Sequence, residues 1–341
     1  MKSKLILILI AGAFVAFAPS SLAQAGSTKT YRGSIGDSHI QMTLSFEGNN
    51  VSGTYAYDSV GQEIKLTGTR ANKGKLELKE FAGKGKQNTG KFVCERFDDP
   101  IDSECTWSRP DGTRGSMVTL EEQFLAFTNG LQIKPKIISN RRTGVAVSYP
   151  QITSSVPLGA GAQSFNRRIL AMVQKEIAEF QPTDGKGAFD ANYNVLLGTN
   201  DLISVELTVY SDGGGAHPDN YFLALTYDLN AGKELKFEDL FQHGSDYNSA
   251  IAKFTVADID RRAAAMEEDD ARRENRAPNK RDEPIVSVDQ LTELSGFGLT
   301  PKGLVVNFDF PHVIAVFDKT LVPYSVVKQY LKPNGPASRI L

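Results

Sequence analysis

Two carboxylates and an imidazole lie close together in a glycine-rich segment, residues 212–219 (DGGGAHPD). Asp212, His217 and Asp219 are residue types that bind metals and transfer protons, so one hypothesis is a metal-dependent or glycan-active hydrolase centred on His217. Tyr221 lies two residues beyond Asp219 and completes a candidate ligand-binding set. Three ligands from one flexible loop would need partners from elsewhere in the fold, and the sequence indicates none.

The same segment has a purely structural interpretation. Its glycines allow positive φ angles, Pro218 fixes the exit from the loop, and Asp212 or His217 caps loop amides. We favour this interpretation over ligand recognition, and ligand recognition over catalysis or metal binding.

Known catalytic motifs are absent from the sequence. It contains no phosphate-binding loop, no G-x-S-x-G, no H-E-x-x-H and no dinucleotide fingerprint. The other histidines are His39 on the polar side of a predicted strand, His243 in a turn and His312 after a proline. We therefore predict no cofactor, no metal and a non-enzymatic role.

The segment belongs to a predicted second domain, residues 144–337. Strands are predicted at 193–198, 202–210, 221–229, 297–300, 303–310 and 313–317, and residues 165–180 show the apolar spacing of a helix. Strands and helices do not alternate regularly, which favours an α+β domain with an antiparallel sheet and two or three packed helices. Residues 258–283 form a charged helical insertion with a solvated face.

Residues 28–122 show the period-two pattern of short antiparallel strands. Ile40, Met42, Leu44 and Phe46 alternate with polar residues, and turn sequences separate seven or eight such segments. This predicts an all-β meander closed into a small barrel. Tyr31, Tyr55, Tyr57 and Trp107 could stack on sugar rings, although core packing is the favoured interpretation. Residues 123–143 are predicted as an extended linker or edge strand.

The N-terminus has the features of an export signal. Lys2 and Lys4 precede an apolar run at residues 5–18, and small residues precede a cut after Ala23. The run is shorter than the roughly 20 residues that span a bilayer. Without the two lysines, the formal charge falls from -2 to about -4, which gives no overall attraction to nucleic acid or anionic membrane. We predict a periplasmic or secreted protein with no integral membrane segment.

Two cysteines, Cys94 and Cys105, are the only ones in the chain. In an exported protein this spacing is most simply a local disulfide that joins a hairpin. A redox or metal pair is the alternative, but C-x-x-C spacing is absent and no histidine lies nearby.

Seven short segments of residues 145–337 occur in a characteristic order: 148–152 (SYPQI), 165–169 (FNRRI), 214–218 (GGAHP), 227–233 (YDLNAGK), 239–241 (DLF), 297–304 (FGLTPKGL) and 322–325 (VPYS). Through these segments, residues 145–337 resemble a family of exported bacterial domains of unknown function. Such domains form the extracellular part of lysozyme-sensing anti-sigma factors and precede some polysaccharide deacetylases.

The resemblance implies an α+β binding domain without catalytic apparatus, which in the anti-sigma members grips lysozyme. The expected partner is therefore a lysozyme-like hydrolase or peptidoglycan, or another envelope glycan. This chain lacks the membrane helix of the anti-sigma factors and the deacetylase domain, so neither signalling nor deacetylation is carried over. A purely structural envelope module is a further alternative.

Overall fold

The structure is a computed structural model that describes residues 26–71, 74–83, 87–95, 97, 103–183, 187–291 and 293–341. The predicted signal peptide, residues 1–23, lies outside the described residues. The chain is built from three sheets: a closed barrel, a six-stranded sheet and a three-stranded sheet.

Eight antiparallel strands form the barrel in sequence order, and the first pairs with the last. They are β1 (Ser27–Ile35), β2 (Ser38–Glu47), β3 (Asn50–Tyr57), β4 (Ile64–Arg70), β5 (Leu76–Phe81), β6 (Gly90–Cys94), β7 (Ser103–Ser108) and β8 (Ser116–Gln123). Burial in β2 alternates as the sequence predicts, with Ile40, Met42 and Leu44 fully buried inside the barrel. The predicted meander and small barrel are therefore confirmed.

The six-stranded sheet has the order β14-β13-β12-β11-β10-β9. Its strands are β9 (Gln132–Asn140), β10 (Val145–Thr153), β11 (Ala188–Gly198), β12 (Leu202–Asp212), β13 (Asp219–Asp228) and β14 (Lys233–Glu234). Helix α1 (Ala160–Glu179) covers one face of this sheet and buries Phe165, Ile169 and Val173 there. β9 is one of the two edge strands and lies within the segment predicted as linker or edge strand. The predicted domain boundaries stay predictions.

The three-stranded sheet consists of β15 (Gly296–Leu299), β16 (Gly303–Asn307) and β17 (Lys319–Pro323). It shares a second core with α2 (Tyr247–Arg273) and the short α3 (Tyr324–Val327). Five 3-10 helices complete the described regular structure: Phe237–Leu240, Val288–Gln290, His312–Phe317, Lys328–Tyr330 and Ala337–Arg339.

The predicted α+β class with an antiparallel sheet is wrong, because the described chain is mainly β and its six-stranded sheet is mixed. β10 and β11 run parallel, since α1 crosses over between them and returns the chain to the same end of the sheet. The sequence contains one strand–helix–strand unit and no repeated alternation of strands and helices. For that reason the predicted fold class did not include a parallel strand pair. Residues 313–317, predicted as a strand, lie in a 3-10 helix.

The charged insertion begins inside α2. The predicted pair of Asp258 with Arg262 is present at 2.9 Å, but Asp258 is buried rather than on a solvated face. Arg276 continues the ionic contacts beyond the end of the helix, where it binds Glu267 and Glu274.

Candidate functional site

The barrel packs against the six-stranded sheet through one polar stripe of β11. Odd-numbered residues of this strand, such as Phe189 and Ala191, face the core beneath α1. Three even-numbered residues each bind a different barrel strand: Asp190 binds His39 of β2, Asn192 binds Arg32 of β1, and Asn194 binds Glu121 of β8. A period-two strand therefore presents an apolar face to the helix and a polar face to the barrel.

Arg32 is the most deeply buried cation of this contact, with 1% of the residue exposed. Its two terminal nitrogens each donate to Asp58 at 2.7 Å, and Nη2 also donates to Asn192 Oδ1 at 2.6 Å. The guanidinium carbon lies 4.0 Å above the ring centre of Tyr193. A buried arginine is tolerated here because both its charge and its donors are satisfied.

The guanidinium of Arg32 lies where β10 and β11 of the six-stranded sheet separate. β10 and β11 pair only through residues 145–147 and 189–191. Just beyond, Arg32 Nε donates to the carbonyl of Tyr193 at 3.4 Å, and Ser148 Oγ donates to Asp58 at 2.6 Å. Further along, the chain leaving β8 pairs with β11 at Leu125 and Gly198.

The pKa of Asp58 reflects competing effects. Burial raises it, but the hydrogen bonds and charge of Arg32 and the hydrogen bond from Ser148 outweigh burial and hold the pKa below its ordinary value. The carboxylate stays ionised, so this pair is a permanent ionic contact within the barrel, and it binds the six-stranded sheet through Ser148 and Asn192.

Gly33 lets β1 approach its neighbour closely beside Arg32. A Cβ atom at this position would lie 1.7 Å from the carbonyl oxygen of Thr119 in β8. The carbonyl of Gly33 in turn accepts a hydrogen bond from Asn192 Nδ2 at 3.0 Å. A side chain here would push β8 away and disturb the docking of the sheet.

A second ionic cluster connects all three sheets. The ammonium of Lys319 in β17 donates to Glu121 of the barrel at 2.7 Å and to Glu206 of β12 at 2.8 Å. The remaining carboxylate oxygens accept amide donors from Asn194 at 2.7 Å and from Asn307 at 2.9 Å. Burial lowers the pKa of Lys319, but the two carboxylates raise it well above its ordinary value, so the lysine stays charged.

Two amide oxygens of this cluster have no hydrogen-bond donor within the part of the chain that the structure describes. They are Oδ1 of Asn194, a residue 7% exposed, and Oδ1 of Asn307, which is fully buried. Buried acceptors without donors are uncommon in folded proteins and often mark a place where a ligand or water binds.

A cleft of about 940 Å³ opens between the barrel, the six-stranded sheet and residues 315–319. Ionic and amide groups, including Asn194 and Lys319, line it together with the aromatic rings of Tyr210 and Phe222. Its volume lies at the upper end of the range typical of small-molecule sites, roughly 300–1,000 Å³.

The two rings lie on the same side of the sheet. Phe222 pairs with Thr208 in the β12–β13 register, and Tyr210 lies two residues beyond Thr208, so the rings are diagonal neighbours. The ammonium of Lys319 lies 4.8 Å from the ring centre of Phe222, whereas Tyr210 is 37% exposed. One ring is therefore held in place and the other is open to a ligand.

None of the four candidates predicted from the glycine-rich segment lines this cleft. Asp212 accepts the amide of Gly214, where φ is 83°, so it caps the loop as the structural interpretation expected. Asp219 is exposed at the start of β13. Tyr221 faces α1, where burial and a hydrogen bond to Glu176 at 2.9 Å raise the pKa of its hydroxyl.

His217 is exposed and stacks on His312, with ring centres 5.0 Å apart. Across the described ranges, no group of three or more histidine, cysteine, aspartate or glutamate side chains is arranged to hold a metal ion. At the metal centre hypothesised for His217, the described residues therefore provide two stacked imidazoles and no third ligand.

The barrel aromatics considered as sugar-stacking residues have other contacts. Tyr31 and Tyr55 are buried in the barrel core, as the core interpretation predicts. Trp107 and Tyr55 both donate to the buried carboxylate of Glu80 at 2.7 Å. These rings stabilise the barrel interior.

Sequence reasoning missed the residues that do line the cleft. The sequence did contain one signal for this contact: Asp190, Asn192 and Asn194 alternate along one strand. Three polar residues on one face of a central strand need hydrogen-bond partners when they are buried. Nothing local indicates that their partners are Arg32 and Glu121, more than 70 residues away.

The disulfide between Cys94 and Cys105 is present and joins paired residues of β6 and β7. The predicted pairing is confirmed. Disulfides persist in oxidising compartments, so this bond indicates a protein located outside the cytoplasm. None of the helices in the described ranges has the length and apolar character needed to cross a membrane.

No protein-family model and no curated protein matches the sequence. Solved structures that are similar to part of the chain include two DUF3298 family proteins. A DUF3298 family protein from Pseudomonas aeruginosa PAO1 has 16% identity and a TM-score of 0.37, covering 60% of this chain and 94% of that one. A DUF3298 family member from Bacteroides fragilis NCTC 9343 has 12% identity and a TM-score of 0.37, covering 60% of this chain and 95% of that one. At these values the likeness assigns neither family nor function.

Proposed function

We propose that this protein is an exported, non-enzymatic binding protein of the bacterial cell envelope that takes a glycan in the cleft between barrel and sheet. The observation that carries the proposal is the cleft itself, about 940 Å³ in volume, in which Tyr210 and Phe222 lie near the buried amide of Asn194. Aromatic rings pack against the apolar faces of sugars, while amide and carboxylate oxygens accept hydrogen bonds from sugar hydroxyls.

A binding role fits the ionic groups of the cleft better than a catalytic one. Lys319 is held in ion pairs that connect the sheets, and Arg32 is held in an ion pair of the barrel that also binds the six-stranded sheet through Asn192. Moving either charge during a reaction would break the contacts on which the cleft depends. The fixed geometry needed for binding is instead supplied by rigid strands.

A lysozyme-like hydrolase is the other partner that the sequence suggests. Standard protein–protein interfaces bury roughly 800 Å² on each partner over a broad surface. The feature described here is concave and of small-molecule size. The cleft therefore favours a glycan over lysozyme as the ligand, and the same experiment measures lysozyme binding.

The test measures saturable binding of the purified protein to insoluble peptidoglycan, to soluble glycan oligosaccharides and to immobilised lysozyme at low salt. Tyr210→Ala should weaken glycan binding about tenfold, because the stacking surface is lost. Tyr210→Phe retains the ring and should bind nearly as well as the wild type.

Asp212→Ala together with His217→Ala serves as the matched control, because both residues lie outside the cleft lining. This double variant should bind glycan normally. Retention of lysozyme alone, or equal binding by Tyr210→Ala and the wild type, would overturn the proposal.

A further inference from the structure

The cationic side chains that line the cleft are all held in ion pairs. Arg32 binds Asp58, Lys319 binds both Glu121 and Glu206, and Arg262 binds Asp258, which also binds Arg261. Lys319 is shared by two carboxylates, so its cluster carries one net negative charge, whereas two arginines share Asp258. An anionic ligand would therefore meet cations that already have carboxylate partners.

Two further carboxylates line the cleft without a lysine or arginine partner in the described part of the chain. Asp37 is exposed in the turn between β1 and β2. Asp190 has 37% of its side chain exposed and binds the imidazole of His39 at 2.8 Å. Both keep oxygen atoms available to a ligand, and together they give the cleft an excess of negative charge.

The buried amide oxygen of Asn194 adds an independent requirement. Asn194 lines the same cleft, and its buried Oδ1 has no donor among the described residues. This oxygen can only accept a hydrogen bond, so a ligand that carries N–H or O–H groups suits the cleft better than one that only accepts. An ammonium group supplies three donors and no acceptor, together with a positive charge.

Resting on the proposed glycan-binding function, we propose that the ligand class is a glycan with free amino groups, such as a de-N-acetylated hexosamine chain. The protonated amino groups pair with Asp37 and Asp190, and the ring face stacks on Tyr210. Uronic-acid and phosphate-containing glycans are disfavoured because like charges meet in the cleft.

The test compares three oligosaccharides of equal length at a mildly acidic pH, where amino groups are protonated: a glucosamine oligomer, its fully N-acetylated counterpart and a uronic-acid oligomer. Calorimetry should give at least about tenfold tighter binding of the glucosamine oligomer than of the N-acetylated one, with the uronic-acid oligomer weakest. Added salt should reduce this preference.

The variant Asp37→Asn with Asp190→Asn should lower glucosamine binding to the level of the N-acetylated oligomer and leave the latter unchanged. The amide introduced at position 190 still offers an oxygen to His39, so the docking contact survives. Asp282→Asn with Asp289→Asn removes two exposed carboxylates outside the cleft and should have no effect.

The two proposals fail in different ways. If no oligosaccharide binds, the glycan-binding function is wrong. If the N-acetylated or uronic-acid oligomer binds as tightly as the glucosamine oligomer, the function stands and the preference for amino groups is wrong. An equal loss of glucosamine-oligomer binding in the two double variants would also overturn the assignment of Asp37 and Asp190.

Discussion

The ammonium nitrogen of Lys319 lies 2.8 Å from Oε1 of Glu206, deep between the three-stranded sheet and the six-stranded sheet. The same nitrogen reaches Glu121 of the barrel, so one side chain connects the three sheets. The cleft opens beside this junction.

Replacing Lys319 should therefore be among the most damaging single changes in the protein. Lys319→Met leaves the buried carboxylate of Glu206 and the partly buried carboxylate of Glu121 without this cation, and we expect the free energy of unfolding to fall by about 3–5 kcal/mol. Urea denaturation measures this. Lys328→Met, at an exposed lysine, should change stability by less than about 0.5 kcal/mol.

A compensated variant separates charge from packing. Lys319→Met combined with Glu121→Gln and Glu206→Gln removes the charges together, so much of the lost stability should return. If the triple variant is no more stable than Lys319→Met alone, loss of packing rather than uncompensated charge explains the damage.

The ion pair of Arg32 and Asp58 predicts a specific acid response. The folded pKa of Asp58 is lowered, so its stabilisation is present above the unfolded pKa and is lost as pH falls through the folded one. Asp58→Asn should lower the free energy of unfolding by about 3–5 kcal/mol at neutral pH. Below about pH 4 the difference in stability between this variant and the wild type should become smaller. Unfolding curves across pH test this, and a constant gap would contradict it.

The contribution of Asp318 to stability should change with pH in the opposite direction to that of Asp58. Burial, together with the charge of Asp309, raises its folded pKa to about 6 from an ordinary value of 3.8, despite a hydrogen bond from the amide of Phe310. The native state therefore binds more protons than the unfolded state between these values, and this group's contribution to stability falls as pH rises from about 4 to about 6.

Asp318→Asn removes that dependence. The amide oxygen can still accept the hydrogen bond from Phe310, so the loop keeps its geometry. We expect a gain of about 1–2 kcal/mol at neutral pH and a flatter stability profile between pH values of about 4 and 6. Asp309→Asn should give a smaller gain. An unchanged slope in Asp318→Asn would show that another group causes the dependence.

Removing the disulfide should destabilise the barrel. Cys94→Ala with Cys105→Ala frees a loop of about a dozen residues, and the loop-closure entropy predicts a loss of about 3 kcal/mol. Trp107, the only tryptophan of the chain, lies in β7 beside Cys105 and reports unfolding of the barrel by fluorescence. A transition that the double variant leaves unmoved would contradict this expectation.

Local sequence determined the elements whose contacts are also local. The alternation of Ile40, Met42 and Leu44 specifies a strand with one buried face, and turn sequences join it to its neighbours, so the meander could be predicted. Helix α1 could be predicted from the spacing of Phe165 and Ile169, and the disulfide from compartment and cysteine count.

Only the tertiary structure decided how these elements assemble. The crossover through α1 makes β10 and β11 parallel, but one strand–helix–strand unit in the sequence does not show that these two strands become neighbours in the sheet. Arg32 and Lys319 each look like a surface cation in the sequence. Their partners come from separate segments: Asp58 follows β3, Glu121 lies in β8 and Glu206 in β12. Burial of such charges is stable only where the folded chain brings those partners together. The cleft exists for the same reason, since its walls come from segments that the sequence keeps far apart.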